Sequence, residues 1–433
     1  MDILIKNANV LTCVDNNNVI KNACIAINDG IIEFVGNNYD VDETKFKKII
    51  DAKNKIVMPG LVNSHTHAGM TIFRNFASDI PLEEWLFKKI FPVEAKFTKE
   101  DVYFGTMLGV AEMIKGGTTT FADMYYHMDN VAQIVEQTGI RANLSKSVLS
   151  LNQDGVGSIS KDLDGTRDYF NRWNNSCNGR IKVYIEIHSA YIYDEPSMAQ
   201  TCELAKELNT GIHIHVAETK NEQKICQEKY GMDVVSILDK CGVFDVPVLA
   251  AHCVHLTDDN IELLRNKNVS VSHNITSNLK LGSGIARIPY MHDRGINIAL
   301  GTDGCASNDN LNMFEEMHLT ALVHKGVLCD STVIPAKDVL KMATVNGAKA
   351  LGFSNLGTIQ NGAKADIIIL DTDNVYNVPN GDIVLSLTYS AQAGDVNTVI
   401  VDGKILMENK ELLTIDEERI KYQIQKVRKR LIG

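Results

Sequence analysis

Apolar and polar residues alternate differently in successive parts of this chain. Residues 2–12 and 22–35 alternate with a period of two, which predicts strands with one buried face. From about 59 to 303 the strand candidates are near-continuous apolar runs such as Val246–Ala251, typical of strands buried on both faces. A helix is predicted at about 335–351, strands at 365–370 and 396–401, and a charged surface helix at about 415–431.

The central part of the chain carries eight candidate strands separated by helical patterns. The strands cover residues 59–65, 118–123, 140–147, 181–188, 211–217, 246–253, 269–273 and 296–303. The helical patterns cover about 99–115, 129–138, 195–208, 221–240, 257–266 and 310–328. Strands that alternate with helices in this way predict an α/β protein with a (β/α)8, TIM-like barrel.

The two β-rich ends of the chain flank this barrel pattern. We expect them to meet and to form one small β-sandwich domain beside the barrel. The predicted domain boundaries are 1–57 for the first part of the small domain and 58–362 for the barrel, with 363–433 as the second part plus the terminal helix.

Composition excludes several classes of partner. The chain has 433 residues, is 45% hydrophobic and carries a formal net charge of −11, which argues against nucleic acid or an anionic membrane as partner. The sequence has no apolar window long enough to span a bilayer, and so predicts no membrane segment. Its nine cysteines are scattered without a Cys-x-x-Cys pair, which predicts a reduced, cytoplasmic protein.

Polar residues interrupt the apolar runs where the predicted strands end. Reactive residues of such barrels lie at the carboxyl ends of the strands. His65 and His67 are two residues apart, so on an extended chain both imidazoles point to one side and can bind one metal ion. The polar residues at or just beyond strand ends are His65, His67, His188, His215, Glu218, His252 and Asp303.

These residues lie within longer stretches that resemble the amidohydrolase superfamily. Within it, the sequence is most similar to the family that deaminates 5′-methylthioadenosine and S-adenosylhomocysteine. The stretches that carry the resemblance are PGLVNSHTHAGM (59–70), FPVEAKFT (91–98), GGTTTFADMY (116–125), HIHVAET (213–219), SHNITSNLKLGSGIA (272–286) and GTDGCASNDNLNMFEEM (301–317).

The resemblance implies a metal centre. It makes His65, His67, His215 and Asp303 the ligands of one divalent ion, with Zn²⁺ expected and Fe²⁺, Mn²⁺ or Ni²⁺ as alternatives. Relatives with two metals bridge them through a modified lysine at the end of the fourth strand. Here that strand ends in Ile187-His188, which favours a single ion.

The ligand set suggests how the reaction would proceed. A bound divalent ion lowers the pKa of water toward neutrality, so that hydroxide can attack the adenine C6 carbon. Asp303 would accept the proton that this water loses, and Glu218 would protonate the ring N1. His252 would hydrogen-bond the attacking oxygen, after which ammonia leaves and an inosine-type product remains.

Further residues are expected to bind the substrate, a small adenine nucleoside. The resemblance places Glu94 at the ribose hydroxyls, His188 beside the substrate and Trp85 in the pocket wall, with Glu218 and Asp303 also in contact. Arg167 is the candidate for the carboxylate of a homocysteine tail, and Lys146 and Arg287 are its rivals. One departure from the family pattern is Ile275-Thr276, where relatives commonly have proline after the asparagine.

The sequence is also compatible with other functions. The same metal site could serve 5′-deoxyadenosine, adenosine, guanine, a pterin or a triazine. A non-catalytic scaffold on this fold is a further alternative, although the complete ligand set disfavours it. Barrels of this family commonly associate, so a homo-oligomer is also possible.

Overall fold

The small β domain begins with the first strands of the chain. The computed structural model describes residues 1–14, 18–37, 41–81, 84–151, 159–379 and 381–433. Its first five strands are β1 (Ile3–Leu11), β2 (Val19–Asn28), β3 (Ile31–Asn37), β4 (Lys48–Asp51) and β5 (Ile56–Pro59).

Eight parallel strands then form the barrel. They are β6 (Leu61–Thr66), β7 (Thr118–Met124), β8 (Arg141–Ser147), β11 (Ile181–Ile187), β12 (Ile212–Val216), β13 (Val248–His252), β14 (Ser270–His273) and β15 (Asn297–Leu300). Between β8 and β11 the chain forms a separate hairpin of β9 (Leu149–Leu151) and β10 (Ile159–Lys161). The last strand comes back beside the first, where the Asp303 N–H donates to the His65 carbonyl at 2.9 Å. The Ser64 hydroxyl donates to the Leu300 carbonyl at 2.8 Å, and the barrel is nearly closed.

The second part of the small domain follows the barrel. Strands β16 (Ile367–Leu370), β17 (Val396–Val401), β18 (Lys404–Glu408) and β19 (Glu411–Leu412) join the first five in one sheet of order β19-β18-β17-β16-β5-β1-β2-β3, with β4 also paired to β1. Its central pairing is antiparallel between β5 and β16, with Ile367 opposite Pro59. The expected barrel and the small β domain built from both chain ends are confirmed, whereas the exact domain boundaries stay a prediction.

Helices cover the outside of the barrel. They are Phe91–Glu94, Lys99–Lys115, Met128–Thr138, Leu163–Trp173, Ser176–Gly179, Glu195–Glu207, Lys220–Tyr230, Val234–Lys240, Asp258–Asn266, Ile275–Lys280, Ile288–Asp293, Met313–Leu328, Ala336–Met342, Val345–Ala350, Ile383–Tyr389 and Glu417–Leu431. Short 3₁₀ turns cover Glu43–Lys45, Ala68–Phe73, Val243–Asp245 and Ala393–Asp395, and a π-helical turn covers Trp85–Ile90. Among the described residues, no helix has both the length and the apolar character that a membrane span requires.

Two of the predicted helices are each divided in the structure. The pattern at 221–240 forms two helices because Gly231 adopts a left-handed φ of 70° that ends the first one. The pattern at 335–351 is interrupted at Thr344, whose φ of −133° and ψ of −92° lie outside the helical region. Sequence reasoning missed the helix Leu163–Trp173, which Asp162 caps through its side chain.

The terminal helix Glu417–Leu431 holds the loop that follows β6. Its apolar stripe, Ile420, Ile424, Val427 and Leu431, is buried, although the sequence predicted only a charged surface helix. The Arg428 guanidinium donates to the backbone carbonyls of Ile72 and Arg74. The helix therefore stabilises the segment that comes directly after His65 and His67.

A buried ion pair joins the barrel to the small domain. Arg141, at the start of β8, is 1% exposed and donates from Nε and Nη2 to the two carboxylate oxygens of Asp366 at 2.7 and 2.9 Å. Replacing Arg141 with methionine leaves the Asp366 charge buried and unpaired. We expect the free energy of unfolding to fall by about 3–5 kcal/mol, measured by denaturant titration.

The control for this prediction is the double variant R141M/D366L, which removes both charges together. It should lose less stability than R141M alone, because no unpaired charge remains buried. Equal losses in the two variants would contradict a role for the charge pair.

Candidate active site

Three imidazoles and one carboxylate converge at the carboxyl end of the barrel. The His67 Nε2 atom lies 3.3 Å from His215 Nε2 and 3.2 Å from Asp303 Oδ1. The His65 Nε2 atom lies 3.5 Å from the same Asp303 oxygen. The structure thus brings together the four predicted ligands, which come from β6, β12 and the residues after β15.

The opposite nitrogen of each imidazole is held by the protein. His67 Nδ1 donates to the Met124 carbonyl at 2.6 Å, and His215 Nδ1 donates to the His188 carbonyl at 2.8 Å. His65 Nδ1 lies 2.8 Å from His213 Nε2. Such contacts fix the ring orientation and leave the Nε2 lone pairs of His67 and His215 free for a metal ion.

Asp303 is oriented by two hydroxyl groups that the sequence did not single out. Ser277 Oγ and Ser307 Oγ donate to Asp303 Oδ2 at 2.7 and 2.8 Å. The Gly304 N–H donates to the other oxygen, Oδ1, at 2.8 Å. Because one carboxylate oxygen is occupied by the serines, Oδ1 remains directed to the imidazoles.

These residues fit a divalent metal ion. His65 is fully buried, and its Nε2 atom has no hydrogen-bond partner among the described residues, although it points at Asp303. The donor atoms of His65, His67 and Asp303 all lie within 4.8 Å of one another. Cys305 is not a competing ligand in this arrangement, because burial raises its pKa to about 12 and Arg74 donates to its sulfur at 3.3 Å.

Glu218 and His252 lie beside this cluster. Glu218 Oε2 is 3.9 Å from His252 Nε2, and Glu218 Oε1 accepts a hydrogen bond from Ser283 Oγ at 3.2 Å. His252 is buried and its Nδ1 donates to Asn278 Oδ1 at 2.8 Å. A carboxyl group and an imidazole therefore face each other where a reacting molecule would contact the cluster.

A second carboxyl group, Glu94, lies near His67. It is 8% exposed and accepts a hydrogen bond at 2.5 Å from the hydroxyl of Tyr125, which follows the Met124 carbonyl that binds His67. Burial raises the pKa of Glu94 to about 7, although the Tyr125 hydrogen bond opposes this shift. Glu94 can therefore accept hydrogen bonds in its ionised form and donate one when protonated.

His188 and Trp85 take different positions around the site. The His188 ring lies 4.7 Å from that of His215, and burial lowers the pKa of His188 to about 3, so it is neutral. Trp85 is 6% exposed and packs with Phe73 and Ala306, in a cluster formed by the loops after β6 and β15. The indole Nε1 of Trp85 has no hydrogen-bond partner among the described residues.

The structure does not bring Arg167 to this group. Arg167 lies on the helix Leu163–Trp173, and its guanidinium pairs with Glu207 at 2.8 and 3.0 Å and with Asp164 at 2.6 Å. The two alternative cations also form salt bridges with acidic residues: Lys146 with Asp162 at 3.2 Å and Arg287 with Asp258 at 2.6 Å.

Several supporting residues escaped sequence reasoning. Tyr125, Ser277 and Asn278 bond to site residues in distant parts of the chain, so spacing along the chain did not connect them. Ser307 follows its partner Asp303 by four residues in the same segment. One usable signal was present for all four, since each lies inside a motif at the end of a barrel strand: GGTTTFADMY (116–125), SHNITSNLKLGSGIA (272–286) or GTDGCASNDNLNMFEEM (301–317).

Comparisons with known proteins agree with this geometry. The amidohydrolase family matches residues 56–406. A 5-methylthioadenosine/S-adenosylhomocysteine deaminase of Acetivibrio thermocellus is 57% identical, covering 100% of both chains. A 5′-deoxyadenosine deaminase of Methanosarcina mazei is 46% identical over 100% of this chain and 99% of its own. The crystal structure of an adenosine deaminase from Xanthomonas campestris with bound zinc gives a TM-score of 0.94 at 31% identity, covering 99% of this chain and 98% of that one.

Proposed function

Because this chain belongs to the amidohydrolase family, we propose that it hydrolyses the C6 amine of the adenine ring in 5′-methylthioadenosine and S-adenosylhomocysteine. The products are the corresponding inosine-type nucleoside and ammonia. The observation that carries this proposal is the approach of Glu218 to His252, over 3.9 Å, beside the three imidazoles and Asp303. The relative from Methanosarcina mazei makes 5′-deoxyadenosine the leading alternative substrate.

Four side chains would hold the metal ion that this proposal requires. His65, His67, His215 and Asp303 would hold one divalent ion, and we propose Zn²⁺ because the similar deaminase of Xanthomonas campestris contains zinc. When bound, such an ion lowers the pKa of water toward neutrality. Three neutral imidazoles and one carboxylate are a donor set that zinc accepts in catalytic sites.

The protein residues move and hold the protons. Asp303 accepts the proton of the attacking water and passes it to the departing amine, while Ser277 and Ser307 keep its carboxylate in place. Glu218 donates a proton to N1 of adenine, which lets the ring take up electrons as C6 is attacked, and it regains a proton from the C6 hydroxyl as ammonia leaves and the carbonyl forms. His252, held at Nδ1 by Asn278, hydrogen-bonds the attacking oxygen through Nε2.

The remaining site residues position the nucleoside. Glu94 accepts hydrogen bonds from the ribose hydroxyls, with its carboxyl oriented by the Tyr125 hydroxyl. The neutral His188, whose ring lies next to that of His215, would contact the nucleoside beside the metal ligands. Trp85 would form part of the apolar wall of the substrate pocket. Of the three cations considered for a homocysteine carboxylate, none is unpaired: Arg167, Lys146 and Arg287 each bond to acidic side chains. A carboxylate would therefore have to displace one of those partners.

The direct test is a substrate panel with purified, zinc-loaded protein. We expect 5′-methylthioadenosine and S-adenosylhomocysteine to lose adenine absorbance and to release one equivalent of ammonia. Chelation of the metal should abolish this activity, and added zinc should restore it. Turnover of guanine or a triazine with no reaction of any adenine nucleoside would overturn the substrate assignment, and metal-loaded protein inactive on every compound would favour a scaffold.

A further inference from the structure

The buried carboxyl group of Glu222 contacts the backbone of Glu218 and has no role in the reaction proposed above. Glu222 is 3% exposed, and its Oε2 accepts the backbone N–H of Glu218 at 2.7 Å. Its second oxygen, Oε1, has no hydrogen-bond partner among the described residues. Burying a carboxyl oxygen without a hydrogen-bond partner costs free energy of folding. The position of Glu222 beside Glu218 therefore needs an explanation other than stability.

The contact departs from the usual capping arrangement of this protein. Thr219 caps the helix Lys220–Tyr230, and its hydroxyl accepts the Glu222 N–H at 3.1 Å. In the helices that begin after Thr98 and Thr257, the third helical residue bonds back to the backbone N–H of the capping threonine itself. Glu222 occupies the equivalent position, but its 2.7 Å bond is to the N–H of the preceding residue, Glu218, and the N–H groups of Ala217 and Thr219 also face its carboxyl group.

The backbone at this point makes an unusual turn. Ala217 adopts a φ of 49°, in the left-handed region that residues other than glycine seldom occupy. This turn lies between the end of β12 at Val216 and the capping residue Thr219, and it directs Glu218 toward His252. The bond from the Glu218 N–H to Glu222 fixes the first residue after that turn.

We propose that Glu222 is a positioning residue, which acts through the Glu218 backbone amide to hold the Glu218 carboxyl group in place for proton transfer. This inference rests on the proposed deaminase function and extends it to a residue outside the substrate site. Glu222 reaches the reaction only through Glu218, and a displacement of about 1 Å at a reacting group can cost two powers of ten in rate.

The surroundings of Glu222 keep it neutral around pH 7. Burial raises its pKa to about 8, although the backbone hydrogen bond from Glu218 opposes the shift. In the part of the chain that the structure describes, the titratable groups that face it are Glu218, Tyr191, Cys226 and Cys253, none of which is a cation. Glu222 is thus protonated below pH 8, and it gains a negative charge beside Glu218 as the pH rises past that value.

The decisive variant is Glu222→Asp. The shorter side chain can form the ordinary capping box with Thr219, as Asp101 does with Thr98, but it cannot reach the Glu218 N–H. We expect kcat to fall about 10- to 100-fold, while KM, metal content and melting temperature stay close to those of the wild type. Glu222→Gln reproduces a protonated carboxyl group and should keep kcat within about threefold.

A pH profile and a cap control complete the test. The wild-type profile of kcat should show an inflection near pH 8 that Glu222→Gln lacks. Asn260→Ala removes the side chain that bonds back to the Thr257 N–H at the start of the helix Asp258–Asn266, and it should lower stability without changing kcat. Wild-type kcat in Glu222→Asp, or the same loss in Glu222→Gln, would overturn the proposal, whereas an inactive wild type would refute the deaminase function instead.

Discussion

Replacement of His215 by alanine is expected to abolish both metal binding and turnover. His215 Nε2 faces His67 Nε2 at 3.3 Å, and its Nδ1 is anchored to the His188 carbonyl. Without this imidazole the site keeps only two adjacent histidines and Asp303, which leaves the coordination of a zinc-like ion incomplete. Mass-spectrometric metal analysis after dialysis and an ammonia-release assay measure the two losses.

A histidine away from the site serves as the control. His292 is partly exposed and lies near Asp338, so His292→Ala should keep metal content and rate. Circular dichroism of His215→Ala separates loss of the metal site from loss of the fold. A variant that retained one equivalent of zinc and wild-type turnover would show that His215 is not a ligand.

Replacement of Glu218 by glutamine is expected to leave the metal in place and to lower kcat by about two to four powers of ten. The amide has the same shape as the carboxyl group and can still accept the Ser283 hydroxyl, which lies 3.2 Å from Oε1. It cannot supply a proton to N1 of adenine, so the ring no longer takes up electrons as C6 is attacked. Steady-state kinetics on zinc-loaded protein give the magnitude.

The matched control for this variant lies on the following helix. Glu228 is exposed and faces Lys224 at 3.8 Å, so Glu228→Gln changes the same side chain at a distance from the site. Its kcat should equal that of the wild type. A near-normal rate in Glu218→Gln would exclude proton donation by this residue.

The barrel could be predicted because burial on both faces leaves an unambiguous pattern. The apolar run at 246–253 contains β13, which spans Val248–His252, and the predicted strand at 118–123 is one residue shorter than β7. The rule that chemistry lies at the carboxyl ends of barrel strands then marked seven polar residues. The family resemblance chose His65, His67, His215 and Asp303 among them as metal ligands, and the structure brings these four together.

The contacts of side chains across elements could not be predicted in the same way. Arg167 was matched to the family arginine that meets a homocysteine carboxylate, but it lies on an unpredicted helix that directs it to Glu207, a residue forty positions away in the sequence. Likewise, the bond from Ser277 to Asp303 joins the helix Ile275–Lys280 to the loop after β15. Local patterns determine which elements form, whereas tertiary packing decides which polar groups meet.

The pairing of β5 with β16 has a consequence for biosynthesis. β5 is synthesised before the barrel strands and β16 after them. The antiparallel pair of β5 and β16 can therefore form only when translation is almost finished. Until then the early strands present unsatisfied edges that can recruit other nascent chains. We therefore expect a chaperone that binds nascent chains to raise the yield of native protein, because such distant contacts form slowly.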